Sequence, residues 1–417
     1  MHDVKSAGQS GYRLSACQIC GNSRLKSVLF LGYLPPVNVL VEIGRDRIDE
    51  DFFPTELLHC ERCDLVQLGA IMPQSVVFPA DYPYTSGTTQ ILRDNFADLR
   101  RRSDAVIGLK QGDLVVDIGS NDGTLLSNFS DSYSVLGIEP TNVANLAEQR
   151  GIRSLQQFFK PEVAAKVVAE FGKAKLVTAT NCFAHIADVH AILDGIGAML
   201  SDDGVFVSES HYLVSLIDTL QYDTIYHEHL RYYSLGSLQY LLQSAGWEII
   251  HAERIPTHGG SIRVFAARKG TRSVSDTVAN ILQSEPKGEK LSERLAKFGE
   301  DTARSKLKLW GVLAELKGKG ARICAISAPS RSATLANYVG LDDQIIDYVC
   351  EIKGSLKIGK YLPGTRIPIL EESVLYEKQP DYALMFSWHI ADELAGKIRS
   401  KGYNGEFIVP LPEPHLI

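Results

Sequence analysis

The stretch Leu114–Thr124 constrains the fold most, because it joins an apolar strand to a glycine-containing turn. The apolar run ends at Asp117 and has the length of a buried parallel strand. Gly119 and Gly123 then open a turn into a helix. Glycine there lets the backbone pass close to a ligand, beside the free N–H groups of a helix N-terminus. The pattern predicts an α/β domain with a ligand at this turn. The alternative is a strand, turn and helix that carry Asp-x-Gly by chance.

The next strand, Ser134–Pro140, carries a second acidic residue, Glu139, near its end. A carboxylate there can hold the two vicinal hydroxyls of a ribose, and its spacing from Asp117 fits one βαβ step. The glycine spacing is not the dinucleotide fingerprint. It resembles the nucleoside-binding loop of class I S-adenosylmethionine (SAM) methyltransferases. This resemblance implies cofactor contacts from residues at three strand ends: Asp117, Gly119, Ser120, Asn121, Asp122, Gly123, Glu139, Pro140 and Asn181.

The composition is that of an ordinary soluble chain with a mildly acidic balance. The 417 residues are 45% hydrophobic, and the formal net charge is −7 without a Lys/Arg-rich block. We therefore expect neither nucleic acid nor a membrane as a partner. The first residues are polar, and no apolar run approaches a membrane-spanning length. These features predict a cytoplasmic protein of two or three domains.

Four of the seven cysteines form two Cys-x-x-Cys pairs, Cys17/Cys20 and Cys60/Cys63. Two such pairs supply four thiolates that can converge tetrahedrally on Zn²⁺, and a small segment gains much of its folding energy from that binding. Four protein thiolates leave no open coordination position, so the predicted zinc is structural. A redox pair is the alternative, although neither pair stands at the start of a helix after a strand.

The run Tyr226–Tyr233, reading Tyr-His-Glu-His-Leu-Arg-Tyr-Tyr, is the most unusual stretch. So many titratable side chains cannot all be buried without partners. An extended run would place His227 and His229 on one side, whereas a helical one would pair Tyr226 with His229. Metal chelation by His-x-His and a hydrogen-bonded structural cluster are alternatives. We favour a general base with supporting groups, because the run follows a strand end that faces the predicted SAM loop.

Several polar segments are predicted at the edge of the central domain. Leu34–Asn38 and Asp81–Gly87 are rich in turn formers, which is typical of ligand-binding loops and of ordinary surface loops. In an open parallel sheet, ligands lie beyond the carboxyl ends of the strands. We therefore expect His185 at this edge, together with Glu209–His211, which follow a strand predicted over Gly204–Ser208.

The last third of the chain is predicted to be a second, smaller α/β unit. Residues 273–318 are polar and periodic, which indicates a helical connector broken at Pro286. Strands are predicted over Ala321–Ser327 and Ile345–Val349, with a helix between them. The turn before that helix holds no glycine, but Arg331 and neighbouring serines at the helix N-terminus would suit a diphosphate.

Taken together, the motif order resembles one family over nearly the whole chain, the nucleotide-sugar C-methyltransferases of deoxysugar biosynthesis. The matching pieces are the four-cysteine module, the SAM loop, Asn181–His185, Tyr226–His229, Thr257–Arg263 and Lys357–Gly364 followed by Ile367–Ile369. The resemblance implies SAM and structural Zn²⁺ as cofactors. It also implies an α/β fold in four parts: a small zinc-binding domain over 1–75, a class I SAM methyltransferase Rossmann-like domain over 76–270, a helical connector over 271–320 and a C-terminal Rossmann-like nucleotide-sugar-binding domain over 321–417.

The resemblance further implies methylation of a ring carbon, commonly C3, of a nucleoside-diphosphate-linked 4-keto-6-deoxyhexose. His229 matches the catalytic base, with Tyr226, Glu228 and His185 beside it. Substrate contacts are expected from the loops and the matched stretches: Asn38, Tyr82, Tyr84, Ser86, His227, His258, Arg263, Arg331 and Lys357. The sequence departs from the family pattern at two places. Arg331–Thr334 stands where a Lys-Gly-Asn-Thr run is usual, and His389 stands where an asparagine follows the tryptophan.

Four other functions are weighed against the sequence. An O- or N-methyltransferase acting on another sugar or small molecule is the alternative closest in chemistry. The acidic net charge argues against an RNA methyltransferase, and the missing dinucleotide fingerprint argues against an oxidoreductase. A non-catalytic scaffold would leave the Tyr226–His229 run unexplained. We expect a monomer or a weak homodimer.

Overall fold

A seven-stranded sheet forms the centre of the computed structural model, which describes residues 12–45, 50–79 and 82–417. Residues 1–11 of the predicted zinc domain and Asp81 of the predicted loop therefore lie outside the described residues. In spatial order the strands are Trp247–Ile255, Ser261–Arg268, Leu200–His211, Ala174–Thr180, Leu114–Ile118, Ser134–Ile138 and Ser154–Leu155. The last five run parallel, and Ser261–Arg268 is inserted antiparallel between its two neighbours.

Helices cover the central sheet, which explains why Leu114–Ile118 is buried along its whole length and apolar except for Asp117. The helices of this part are Gln90–Ile107, Thr124–Ser127, Ala144–Gln149, Pro161–Phe171, Val189–Met199, Leu213–Asp218 and Leu235–Ser244. Gln90–Ile107 buries Leu92, Phe96 and Leu99 at helical spacing. The last helix is capped at its N-terminus, where Ser234 and Ser237 form a reciprocal capping box.

The N-terminal unit is a four-stranded antiparallel sheet that includes a strand from elsewhere in the chain. Its strands, in spatial order, are Arg231–Tyr232, Leu65–Leu68, Phe53–Cys60 and Lys26–Leu34. Arg231–Tyr232 belongs to the Tyr226–Tyr233 run, and it pairs with Val66 and Gln67. The run is therefore fixed to the N-terminal unit at its end. Smaller elements follow this sheet: the strand pair Tyr12–Arg13 and Ala70–Ile71, the helix Gln74–Val77 and the 3-10 turn Ser86–Thr88.

The predicted connector is confirmed as two helices, Asp276–Ser284 and Glu289–Gly318, separated around Pro286. The C-terminal sheet follows, with strands in the spatial order Ile369–Glu371, Val349–Glu351, Ile323–Ile326, Tyr382–Met385, Glu406–Val409 and His415–Leu416. Its helices are Ser330–Val339, Ser373–Lys378 and Ala391–Ser400.

Two strand predictions were wrong in their bounds. The strand predicted over Ile345–Val349 begins only at Val349, because the amides of Ile345 and Ile346 donate to the Asp342 carbonyl in a local turn. The strand predicted over Gly204–Ser208 extends through His211, because residues 206–211 pair with 261–266 of the neighbouring strand. Glu209 therefore lies inside the sheet, and His211 is the residue that stands at its edge.

The loop after Lys26–Leu34 docks on the C-terminal unit. The Ile43 amide donates to the Gly359 carbonyl at 3.1 Å, and the Tyr361 amide donates to the Val41 carbonyl at 2.8 Å. Gly364 has a φ of 72°, and a Cβ there would meet Pro35 at 2.7 Å. The N-terminal and C-terminal units thus touch each other on the side of the Tyr226–Tyr233 run. Among the described residues, no helix is both long enough and apolar enough to cross a bilayer.

Candidate active site

The four predicted cysteine ligands converge in the N-terminal unit. Their Sγ atoms all lie within 4.8 Å of one another, and the separations of Cys17 from Cys63 and of Cys20 from Cys60 are both 3.5 Å. A redox pair would instead bring together the two cysteines of one Cys-x-x-Cys motif. Four free thiols in this arrangement fit tetrahedral zinc with Zn–S bonds of about 2.3 Å. The donor set is complete, so the site is structural rather than catalytic.

A cleft opens where the parallel strands of the central sheet end. Five predicted cofactor residues line it: Gly119, Asn121, Glu139, Pro140 and Asn181. Four residues from the predicted substrate and catalytic sets line it as well: Tyr82, Tyr84, Ser86 and His185. The apolar wall of the cleft was not predicted, and it includes Phe78, Leu92, Phe96, Phe158, Phe159 and Ile186. An apolar cleft with a few convergent polar groups is typical of a small-molecule site.

Glu139 is held at its strand end by three hydrogen bonds. One carboxylate oxygen accepts from the Asn121 amide at 3.1 Å, and the other accepts from the amide and hydroxyl of Thr141 at 2.9 and 2.7 Å. Asn181, at the next strand end, has a left-handed φ of 55° and a buried Oδ1 that lacks a hydrogen-bond partner among the described residues. A fixed carboxylate and an orphaned acceptor in one cleft fit a nucleoside ligand such as SAM.

Two predicted cofactor residues lie behind the cleft wall. Asp117 accepts a hydrogen bond from the Thr178 hydroxyl at 2.6 Å, and burial raises the pKa of its carboxyl to about 7. The Ser120 side chain packs against Gly137 of the neighbouring strand. Both residues therefore support the turn from below, and neither is among the residues that line the cleft.

The last two predicted cofactor residues, Gly123 and Asp122, make contacts within the protein rather than lining the cleft. A Cβ on Gly123 would meet the Cβ of Ala147 at 3.0 Å, so this glycine allows helix packing rather than ligand approach. Asp122 accepts from the Thr124 amide at 3.2 Å, so the first N–H of the helix that we expected to be free for a ligand is already bonded within the protein. That helix spans only Thr124–Ser127. The prediction of a ligand at this helix end is not supported.

The segment from Tyr84 to Gly87 is tied to the SAM loop. The Asn121 side chain accepts from the Ser86 amide at 2.8 Å and donates to the Tyr84 carbonyl at 3.2 Å. The Asp122 carboxylate accepts from the Gly87 amide at 3.0 Å. These bonds hold the segment beside the cleft that Tyr84 and Ser86 line. Asn121 and Asp122 are thus needed for the shape of the cleft.

His229 lies in a small cavity that adjoins the cleft. The cavity is lined by Asn181, Ala184, His185, Ser210, His211, His229, Arg231 and Tyr232, of which Asn181 and His185 also line the cleft. The run turns tightly here, because the His229 amide donates to the Tyr226 carbonyl at 2.9 Å. The helix-like alternative for the run is therefore the correct one, with the Tyr226 and His229 rings 4.1 Å apart.

The protonation state of His229 is set by its surroundings. Its Nδ1 lies 2.7 Å from the Thr224 carbonyl, which can only accept, so Nδ1 carries the proton. Burial is the largest cause that lowers the pKa of His229, to about 4, and the positive charge of Arg331 acts in the same direction. The imidazole is therefore neutral at pH 7, and its Nε2 is an available proton acceptor.

Other rings surround His229. Those of His185 and His211 lie 4.9 and 4.7 Å from it, and His258 stacks on His211 at 5.4 Å. Burial lowers the pKa of His185 and His211 well below 6.5, and that of His258 to about 4. His258 has a left-handed φ of 56°, and its Nε2 is buried without a hydrogen-bond partner among the described residues. This cluster can donate and accept hydrogen bonds while remaining uncharged.

Glu228 points to a different network, at the junction with the N-terminal and C-terminal units. Its carboxylate accepts from Asn38 at 2.6 Å and from the Tyr82 hydroxyl at 2.9 Å. Ser330 donates to Asn38 at 3.0 Å, and Lys357 donates to the Ala328 carbonyl at 2.6 Å. Burial is the main cause that raises the pKa of Glu228 to about 7. The structure thus brings four predicted residues together: Asn38, Tyr82, Glu228 and Lys357.

Arg331 is buried by contacts within the protein. Its Nε lies 3.1 Å from the Asp223 carboxylate, and its two terminal nitrogens donate to Gln221 and to His389 Nδ1, each at 3.0 Å. The guanidinium also lies over the Trp388 ring, 5.2 Å from its centroid. Each terminal nitrogen keeps one N–H without an acceptor among the described residues, so two N–H groups can bind a ligand such as a diphosphate. The two positions where the sequence departs from the family pattern, Arg331 and His389, are therefore in direct contact.

Two residues predicted to bind substrate lie away from the cleft. His227 is 2% exposed, and its Nε2 is 3.0 Å from the Thr55 hydroxyl, so it faces the N-terminal sheet. His227 and His229 diverge, and the described residues offer only the four cysteines as a metal cluster. The Arg263 guanidinium is fully buried and donates all five of its N–H groups to protein acceptors: Glu209, Asp98, Glu253 and the side chain and carbonyl of Asn95. We assign Arg263 to the fold, because it has no donor left for a substrate.

Several site residues were missed by sequence reasoning. His211 was expected at the sheet edge but was not proposed as a site residue. Asp223 and Gln221 carried no motif, and Trp388 was noted only as the tryptophan that precedes His389. Their contacts with Arg331 and with each other reveal all three. A buried acidic residue six positions before a suspected base was the one available signal for Asp223.

Comparison with known proteins identifies all three parts of the chain. Residues 17–78 match a zinc binding domain, residues 89–252 a methyltransferase domain, and residues 256–412 a C-methyltransferase C-terminal domain. The chain is 34% identical over 409 residues to C-methyltransferase NovU of Streptomyces niveus, and the match covers 97% of both chains.

Two solved structures each match less than half of this chain. Protein PH0226 of Pyrococcus horikoshii is 14% identical with a TM-score of 0.36, and the match covers 47% of this chain and 98% of that one. Magnesium protoporphyrin IX methyltransferase of Synechocystis, with SAH bound, is 14% identical with a TM-score of 0.33, and the match covers 42% and 83%. These TM-scores are too low to carry an argument. The full-length match to NovU and the three domain matches suffice: this chain belongs to the zinc-containing, SAM-dependent C-methyltransferases.

Proposed function

We propose that the protein methylates a ring carbon, C3, of a nucleoside-diphosphate-linked 4-keto-6-deoxyhexose, in deoxysugar biosynthesis. The observation that carries the proposal is the neutral His229, whose Nδ1 is protonated and whose ring lines the small cavity that adjoins the SAM cleft. A carbon nucleophile needs such a base, because a hydrogen on carbon is acidic only beside a group such as a ketone. The resemblance of the chain to nucleotide-sugar C-methyltransferases supports this substrate class.

The first step is removal of the C3 hydrogen by His229 Nε2. The anion that remains on the substrate is shared between C3 and the oxygen on C4, and donors near that oxygen stabilise it as charge develops. Burial raises the pKa of Tyr226 well above 10, so its hydroxyl remains protonated and can donate. His185, neutral and 4.9 Å from His229, is the second candidate donor.

When bound, SAM supplies an electrophilic methyl group to a carbon nucleophile. The residues proposed to hold it are Glu139, at the ribose, and Gly119, Asn121, Pro140 and Asn181 along the cleft. Holding two reactants in line at near-attack distance contributes roughly 7–11 kcal/mol to a well-oriented reaction. The Tyr82–Gly87 segment closes the same cleft, so it excludes water from the reacting atoms.

The substrate nucleotide is proposed to lie between the N-terminal and C-terminal units. Asn38, Tyr82 and Lys357 surround Glu228 at this junction, and Arg331 retains two N–H groups for a diphosphate. The domain bounds 1–75, 76–270, 271–320 and 321–417 remain part of this proposal. In this arrangement the central domain holds SAM, and the two outer units close on the sugar nucleotide.

The test uses the zinc-loaded protein, SAM labelled with ¹³C in its methyl group, and a panel of dTDP- and GDP-linked 4-keto-6-deoxyhexoses. We expect one member of the panel to gain a carbon-bound methyl group, seen by mass spectrometry and by its ¹³C chemical shift. The matching sugars with a 4-hydroxyl are the control and should not react, because they cannot enolise. An oxygen- or nitrogen-bound methyl group would establish the alternative, an O- or N-methyltransferase. No reaction across the panel would contradict the proposed substrate class.

A further inference from the structure

The 221–224 turn, formed by Gln221, Tyr222, Asp223 and Thr224, is the only backbone segment that hydrogen-bonds the His229 ring among the described residues. Its Thr224 carbonyl accepts from His229 Nδ1 at 2.7 Å and from the Tyr232 hydroxyl at 3.3 Å. A neutral imidazole has one N–H, so donation to this carbonyl leaves Nε2 without a proton. A shift of the carbonyl would allow the other tautomer, in which Nε2 carries the proton and cannot act as a base.

The C-terminal unit holds this turn at both ends. Arg331 donates to the Gln221 side chain at 3.0 Å and pairs with the Asp223 carboxylate at 3.1 Å. Trp388, also in the C-terminal unit, donates its indole N–H to the same Asp223 oxygen at 2.7 Å. Gln221 donates onward to the Gly259 carbonyl at 2.7 Å, which fixes it from the other side. The ion pair at the centre of these contacts is shielded from solvent, with the Asp223 and Arg331 side chains 1% and 7% exposed.

A buried ion pair is a weak source of stability, because desolvation offsets most of the attraction. It can nevertheless specify one geometry, since each partner is costly to leave alone. Here the forked guanidinium bridges residues two positions apart on a tight turn, which a lysine ammonium would not reproduce. The residue next to Asp223 is Thr224, whose carbonyl orients the base. The ion pair is thus one peptide unit from the group that selects the tautomer.

We propose that Arg331 is a positioning residue that, through Asp223 and Gln221, holds the Thr224 carbonyl so that His229 keeps Nε2 free as the base. This inference rests on the proposed role of His229. It assigns the C-terminal unit a second role besides binding the nucleotide, because that unit sets the tautomer of a residue in the central domain. Asp223 and Trp388 share this role, and neither is a catalytic residue.

The experiment compares wild-type protein with Asp223→Asn and Arg331→Met, all zinc-loaded and labelled with ¹⁵N at histidine. The His229 nitrogens are assigned by their disappearance in His229→Asn. In wild type we expect a protonated Nδ1, and in both variants a population with protonated Nε2. Hydrogen–deuterium exchange at the substrate α-carbon should slow roughly 10- to 100-fold in kcat, the usual cost of removing a partner that orients a functional histidine. SAM affinity should not change. Arg366→Met, an exposed arginine of the same unit, is the matched control.

The outcomes separate the positioning role from the proposed function. An unchanged His229 tautomer in both variants would overturn the positioning role, and a raised KM with that tautomer unchanged would show that Arg331 instead binds the substrate directly. A changed tautomer with wild-type exchange would mean that His229 is not the base, which contradicts the proposed function itself. If Arg331→Met does not fold, Asp223→Asn alone tests the positioning role. Asparagine keeps the side-chain shape and an oxygen that can accept the hydrogen bond from the Trp388 indole N–H.

Discussion

Replacing Arg263 by methionine should destabilise the protein without weakening substrate binding. The guanidinium is 0% exposed, and it pairs with Glu209 at 2.5 Å and with Asp98 and Glu253 at 2.8 Å. Methionine keeps much of the side-chain volume but leaves Glu209, which is also fully buried, without its cation. Breaking a buried ion pair in this way costs about 3–5 kcal/mol. At about 2–4 °C per kcal/mol, the melting temperature should fall by roughly 6–20 °C.

The matched control is Arg102→Met. Arg102 pairs with the same Glu253 carboxylate at 3.3 Å, but its side chain is 53% exposed. An exposed pair contributes about 1 kcal/mol or less, so this variant should melt close to wild type. The assay is thermal unfolding of the zinc-loaded protein, with SAM and nucleotide-sugar affinities measured by calorimetry at a temperature where each variant is folded. An Arg263→Met protein with unchanged melting and lost nucleotide-sugar binding would refute this reasoning and restore Arg263 as a substrate ligand.

Three further predictions concern zinc, SAM and acid stability. Cys60→Ser should lose bound zinc and melt at a lower temperature, whereas Cys182→Ser, outside the cluster, should retain zinc. Atomic absorption measures the zinc content of both variants. A wild-type protein without zinc would contradict the site. Glu139→Ala should raise the Kd for SAM roughly 10- to 100-fold, as measured by calorimetry, because a charged hydrogen bond contributes about 1.5–3 kcal/mol. An unchanged affinity would mean that Glu139 does not bind the ribose. Burial lowers the pKa of His227 to about 4, so the unfolded chain binds its proton first and stability falls as pH drops from about 6.5 to 4. Between pH 7.5 and pH 5, the free energy of unfolding measured with denaturant should fall by about 2 kcal/mol less in His227→Gln than in wild type. Equal decreases in the two proteins would contradict the lowered pKa of His227.

The sequence was sufficient for the features that depend on local pattern. Strand Leu114–Ile118, Glu139 at the next strand end and the two Cys-x-x-Cys pairs each follow from spacing alone, and each lies where the pattern predicts. The break in the connector is equally local, since a proline acts within a few residues.

The missed features depend on contacts between distant parts of the chain. Arg263 and Asp98 are 165 residues apart, so no local sequence pattern indicates that the N–H groups of this arginine bind carboxylates of the protein itself. His227 and His229 differ by two positions, yet His227 faces Thr55 and His229 lines the cavity beside the cleft, because residues 226–229 form a turn rather than a strand. Motif matching assigned both histidines to the site, and only the fold separates them.

The contact between Arg331 and His389 shows the same limit. In the sequence these residues are two unrelated departures from the family pattern. In the structure they lie 3.0 Å apart and share the network that reaches Asp223. A contact between two such positions cannot be recognised from either position alone.

The central claim is that the imidazole of His229 removes a proton from a carbon acid beside the SAM cleft. The most direct measurement is deuterium incorporation at the substrate α-carbon in D₂O, catalysed by wild type and by His229→Asn, with SAM affinity measured in parallel. We predict that the variant keeps its zinc, its melting temperature and its SAM affinity while losing exchange by roughly 100-fold or more, the usual contribution of a general base. Exchange at the wild-type rate in a folded, SAM-binding His229→Asn protein would contradict the claim.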